Sequence, residues 1–218
     1  MSLVYIEKIP PLIRSAFEKK VIEVANYLEI NPNWLMILMN FETAGQMNPT
    51  ATNIIGCVGF IQFCSDGLYN GEKSKKILGK WYSLQTIKNS GYVGQMNYVR
   101  DFFEPYKDKI ETIYDLYVAL FYPYALGKPD SFKFGSEISP ERVKTVANQN
   151  KAISQGKEYI TYKEVRAMVD GQMKKANYFV TKVDSYTSNI KMLKRNKWGI
   201  ILISVGIGIG TYLYLKNK

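Results

Sequence analysis

The strongest constraint in this chain lies at its end. Trp198–Leu215 runs for 18 residues without a charge. As a helix it is about 27 Å long, close to the thickness of a bilayer's hydrocarbon core. Lys194, Arg195 and Lys197 precede it, and Lys216 and Lys218 follow it. Trp198, Tyr212 and Tyr214 sit near its ends, where amphipathic rings favour the interface. The run predicts one transmembrane helix. The N-terminus, with no unbroken apolar stretch and no small-residue cleavage site, predicts no secretory signal.

The chain's +10 charge would suit nucleic acid, but its distribution does not. Residues 1–162 carry a net of +2 and residues 163–218 a net of +8. The excess belongs beside the apolar run, where Lys and Arg face lipid headgroups, so nucleic acid is not an expected partner. Histidine is absent, which excludes Ser–His–Asp triads, Cys–His dyads and His-ligated zinc. Two cysteines, Cys57 and Cys64, make neither a disulfide scaffold nor a four-thiolate metal site; spacing leaves open whether they are bridged. No cofactor and no metal are expected, and acid–base chemistry falls to carboxylates, Lys or Tyr.

Apolar periodicity predicts a mainly α chain. Helices are expected at 12–29, from Pro32 to near Gly45 behind an Asn31 cap, at 91–104 with Ser90 as cap, at 112–122 and at 140–147. Thr161-x-x-Glu164 is a capping-box pattern. It opens a helix whose apolar residues from Val169 to Leu193 follow a 4-3 spacing. Continuous to 197, that helix connects a domain of residues 1–160 to the transmembrane helix 198–215. Its seam either packs along residues 1–160 or self-associates through 169–193.

Glu42 stands out as a candidate site residue. It ends an apolar helix with Leu35, Leu38 and Met39 on its side, so its carboxyl is expected to be desolvated and raised in pKa, as a general acid requires. An ordinary surface Glu at a helix end is the alternative.

The segment Phe41-Glu42-Thr43-Ala44-Gly45, then Asn48-Pro49, Asn53 and Gly59-Phe60-Ile61-Gln62-Phe63, resembles the lytic transglycosylase branch of the lysozyme-like superfamily, especially phage-encoded members. The resemblance continues through Gln95–Val99, Phe102–Tyr106, Asp115–Ala119 and Pro123, covering roughly residues 30–165. It implies a lysozyme-like domain and an enzyme that cleaves peptidoglycan strands between N-acetylmuramic acid and N-acetylglucosamine with a 1,6-anhydro product. Glu42 would serve as sole acid and base, so no second carboxylate is needed. It further implies substrate binding by Gln62, with Phe60 as apolar wall, Asn53 bracing the loop, and an aromatic hydroxyl facing Glu42. Tyr122 is the first choice for that hydroxyl and Tyr124 the reserve; for Gln62, Asn53 and Tyr122 a purely structural role stays open. Some phage relatives carry a calcium loop, but Ile153–Glu164 lacks its early ligands and no bound calcium is expected.

Together these readings describe a membrane-anchored, virion-associated enzyme. It would sit in the internal membrane of a phage or in the host cell membrane, and open the wall during entry or lysis. A hydrolysing muramidase and a non-catalytic structural membrane protein of a virion are the alternatives.

Overall fold

The computed structural model describes residues 3–178. Most of this unit is helical, around one continuous apolar core. Helix α1, Pro11–Leu28, buries Phe17, Val21, Val24, Ala25 and Leu28. Helix α2, Pro32–Glu42, begins where the Asn31 side chain accepts a hydrogen bond from the Asn33 amide. Every residue of α2 from Asn33 to Asn40 is buried. A helix apolar all round belongs at the centre of a fold, and α2 is packed against α1 and against the later helices α5 and α8. Its last residue, Glu42, is where it leaves the core.

The helices that follow are α3 (Leu84–Asn89), α4 (Gly91–Phe103), α5 (Ile113–Phe121), α6 (Pro140–Gln149), α7 (Lys151–Ser154) and α8 (Tyr162–Lys175). Ser90 precedes α4 but does not cap it; its hydroxyl donates back to the Ile87 carbonyl at 2.6 Å. Thr112 and Asp115 form a capping box on α5. The expected box of Thr161 and Glu164 opens α8.

A three-stranded antiparallel sheet, absent from the sequence reading, spans β1 (Gly67–Tyr69), β2 (Glu72–Ile77) and β3 (Lys80–Ser83), in that order. Tyr69 pairs with Glu72 and Ile77 with Lys80, so both hairpins turn on two residues, Asn70-Gly71 and Leu78-Gly79. All four turn residues have positive φ, as the right-handed strand twist favours. One face of the sheet lies on α3 and α4. On the other, Tyr69 and Trp81 stack at 5.6 Å across the buried Ser74. Leu78 suits its turn poorly, because a leucine at φ 47° is strained where asparagine is not. Leu78→Asn is expected to stabilise the protein by about 1 kcal/mol, read as a raised denaturant midpoint.

Three expectations are corrected here. The fold is mainly α, with a small antiparallel sheet that the expected run of helices did not include. The helix from 161 does not run on to 197: it ends at Lys175, Asn177 adopts φ 49°, and the Tyr178 amide turns back to the Met173 carbonyl at 2.9 Å. Among the described residues no helix is long and apolar enough to cross a membrane. The run Trp198–Leu215 and the seam beyond Tyr178 lie outside the described residues. Nothing in the described residues supports the membrane-anchored placement, in a phage particle or a host cell membrane, or the alternative of a structural membrane protein.

Candidate functional site

The turn after α2 fixes Glu42. The Thr43 hydroxyl donates to the Met39 carbonyl at 2.7 Å and accepts from the Met47 amide at 2.9 Å, so it ties the helix end to the loop beyond it. Ala44 and Gly45 take positive φ, and the Gly45 amide returns to the Asn40 carbonyl at 2.7 Å, closing the helix in the usual left-handed manner. From the other side the Lys8 ammonium donates to Asn40 Oδ1 at 2.8 Å and to the Gly45 carbonyl at 3.0 Å.

Glu42 itself is half-buried. The Tyr117 hydroxyl donates to its Oε1 at 3.2 Å. Burial pushes the carboxyl up to about 7, and the Tyr117 hydrogen bond, which favours the charged form, pulls the other way. Near neutrality the side chain therefore exists in both protonation states. Tyr117 is held well above the usual phenol range, first by burial and then by the Glu42 charge and hydrogen bond, so it remains a hydrogen donor. Its ring meets Phe41 edge-on at 5.6 Å. With Ile37, Leu38 and Val169 it borders an apolar crevice of only about 10 Å³, at the lower limit of the room one water needs. The Tyr117 ring is thereby fixed, and its hydroxyl is aimed at Glu42.

The loop expected to bind substrate is tightly built. Asn53 Oδ1 accepts from the amides of Ile55 and Cys57 at 3.1 and 3.0 Å, which braces the loop internally. Cys57 and Cys64 form a disulfide, the point that spacing left open. Inside it Val58 and Phe63 pair through backbone bonds of 3.0 and 2.7 Å. Gln62 donates from Nε2 to the Gly59 carbonyl at 2.9 Å, while its Oε1 is buried with no partner among the described residues. Flipping the amide would set one carbonyl oxygen against another, so the acceptor is the atom left over.

Two expected site residues lie elsewhere. Phe60 is fully buried, its ring 5.4 Å from Phe17 and 5.8 Å from Tyr92, and it forms core rather than a wall for ligand. Tyr122 donates to the Glu137 carboxylate and stacks on Phe134 at 5.1 Å; it does not face Glu42. Tyr124 is exposed, beside Phe132. The hydroxyl at Glu42 belongs to Tyr117, which the sequence reading placed in a matching segment without giving it a role. Gln95 was missed in the same way. Fully buried, it accepts from the Phe60 amide at 2.6 Å and donates to the carbonyls of Pro49 and Ile87 at 2.9 and 3.1 Å, clamping the loop onto α3 and α4.

Among the described residues no group of three or more Cys, Asp and Glu side chains is placed to hold a metal ion. A cleft of about 730 Å³, lined by residues between Asp130 and Asp170, contains none of the expected site residues.

No protein family matches this chain, and neither a curated protein nor a solved structure is similar to it. The resemblance to phage lytic transglycosylases is corrected accordingly, together with the lysozyme-like fold and the membrane-anchored wall-opening role it implied. Its shared residues are short local sets: a helix-end carboxylate, then Gly, Asn and Pro turns, then an apolar tetrad. Turn chemistry selects such sets in unrelated chains, so they do not establish common descent.

Proposed function

We propose that this protein is an enzyme in which Glu42 acts as the single acid–base group, cleaving glycosidic bonds in a glycan strand. One observation carries the reading: a carboxyl at about 7 held by a tyrosine hydroxyl at a fixed helix end. A general acid works best when its pKa lies near the working pH. Protonated Glu42 gives its proton to the bridging oxygen as the bond to the anomeric carbon breaks. The resulting carboxylate is steadied by the Tyr117 hydroxyl and then takes the proton of the attacking hydroxyl. No other carboxylate among the described residues perturbs Glu42, which suits a mechanism in which one group serves both steps.

The test is cleavage of purified peptidoglycan and of soluble chitin oligosaccharides by the wild-type chain and by Glu42→Gln. Turnover that needs Glu42 supports the reading. Absence of turnover on both glycans, or equal turnover by the variant, overturns it.

Tyr117→Phe provides a second check. Losing the hydrogen bond removes the influence that lowers the Glu42 pKa, so the value rises above about 7. Activity that depends on the protonated acid then persists to higher pH. The alkaline limb of the pH–rate profile is expected to move upward while the maximal rate falls, because the carboxylate loses its donor. A tyrosine with a packing role alone would reduce the rate and leave the limb in place.

A further inference from the structure

The cleft of about 730 Å³ is lined by side chains from the segments around Asp130–Lys133 and Lys157–Asp170. A second hollow of about 350 Å³ shares Lys133 and Tyr159 with it. The two segments are tied together where the Phe134 amide donates to the Ile160 carbonyl at 2.9 Å. The size of the larger cleft lies in the range of small-molecule sites.

The chemistry of the lining follows from which charges already have partners. Asp130 receives both forks of Arg166, at 2.5 and 3.0 Å. Glu164 is 5% exposed and accepts from Lys157 and from the Thr161 hydroxyl, both at 2.6 Å. Burial works to raise this carboxyl, but those bonds outweigh it and keep it ionised below the usual range. Asp170 accepts the Tyr114 hydroxyl at 2.7 Å. In the adjoining hollow Glu158 pairs with Lys144 at 3.2 Å. Every acid of the lining is thus engaged, whereas Lys133 and Lys163 have no carboxylate partner among the described residues. The Lys133 ammonium lies 5.0 Å over the Tyr159 ring, with Lys157 at 5.8 Å from the same ring. What remains for a visitor is two ammonium groups, that of Lys133 lying over the Tyr159 ring, and the Ser131 hydroxyl. Such a set takes a ligand rich in acceptor oxygens and carrying negative charge.

We propose that this cleft is a binding site for an anionic saccharide, its phosphate or carboxylate group held by Lys133 and Lys163. The proposal is independent of the assignment of Glu42.

Calorimetric titration of the full chain with glucose 6-phosphate, glucuronate and neutral glucose tests it. At least one of the two anions is expected to bind, with glucose much weaker and affinity falling as salt rises. Whichever anion binds more tightly identifies the source of the charge. Lys133→Glu/Lys163→Glu is expected to weaken that anion by about tenfold or more. Lys133→Gln/Lys163→Gln should weaken it less, and Lys174→Glu, on the exposed end of α8, should leave it unchanged. All three positions are exposed, so these variants are expected to fold, and circular dichroism verifies that they do. Glucose binding as tightly as the anions, affinity unchanged in the Lys133/Lys163 variants, or no heat with either anion would overturn the proposal.

Discussion

Glu42→Gln is expected to lower glycan cleavage by roughly a thousandfold, the usual scale for losing a general acid, and at the same time to stabilise the protein above neutral pH. The second effect follows from linkage. In the folded chain the carboxyl titrates at about 7, against an ordinary 4.5. The folded state therefore binds a proton more tightly than the unfolded chain does. Stability contributed by the protonated form is fully present below about 4.5, declines as pH rises through about 7, and is absent above it. The difference corresponds to at most about 3 kcal/mol, and solvent reaching a half-buried side chain reduces it. Gln cannot ionise, yet its amide oxygen still accepts from Tyr117. The variant should thus exceed the wild type by about 2 kcal/mol at pH 8 and match it near pH 4. Chemical denaturation across that range measures the difference without any substrate. A constant difference at every pH would mean that Glu42 is not held protonated by the fold, and the acid–base reading would fail with it.

The part of this site that lies on one helix was legible in the sequence. An apolar run capped by Asn31-Pro32 and ending in a lone acid announces a buried helix that delivers a carboxyl at the surface of the core, and α2 does so. Partners from distant elements were not legible, because the rotation of a helix about its axis is set by packing. Tyr114, Tyr117 and Phe121 share a face of α5 by their i, i+3, i+7 spacing. Tyr122 projects from a different side, after the helix has ended. Choosing Tyr117 over Tyr122 therefore required knowing which face of α5 meets α2. The sheet escaped notice for another reason: β2 reads Glu-Lys-Ser-Lys-Lys-Ile, with hardly any apolar alternation, since one of its faces carries Lys and Ser. Its Asn70-Gly71 turn was nevertheless a hairpin signal in plain view. The early end of α8 was legible too. Lys174, Lys175 and Asn177 form a helix stop, and the 4-3 apolar spacing continuing across it outweighed that signal in the reading.

The second large effect concerns the loop rather than the acid. Gly59→Ala is expected to cost about 4 kcal/mol. Gly59 sits at φ +83°, and a Cβ there would lie 2.4 Å from Gln95 Oε1 and 2.7 Å from its Cδ. Gln95 cannot swing aside at little cost, because its amide makes the bonds to Phe60, Pro49 and Ile87 in a fully buried setting. Moving it strands the buried Phe60 amide N–H and the Pro49 carbonyl, at about 1–3 kcal/mol for each group left unsatisfied, while the Ile87 carbonyl keeps its bond from the Ser90 hydroxyl. Gly79→Ala separates this effect from backbone strain. Gly79 has nearly the same φ, +79°, with nothing within 4 Å of an added Cβ, so only the conformational penalty of about 1 kcal/mol applies. Denaturant midpoints of the two variants should differ accordingly. The disulfide between Cys57 and Cys64 limits how far the loop itself can yield, because it closes the chain on both sides of Gly59 and Gln62. Gly59→Ala with the disulfide reduced should therefore recover part of the loss, as the loop gains freedom to move away from Gln95. Equal costs at Gly59 and Gly79 would show that Gln95 is not the clamp that sets the loop's position beyond Glu42.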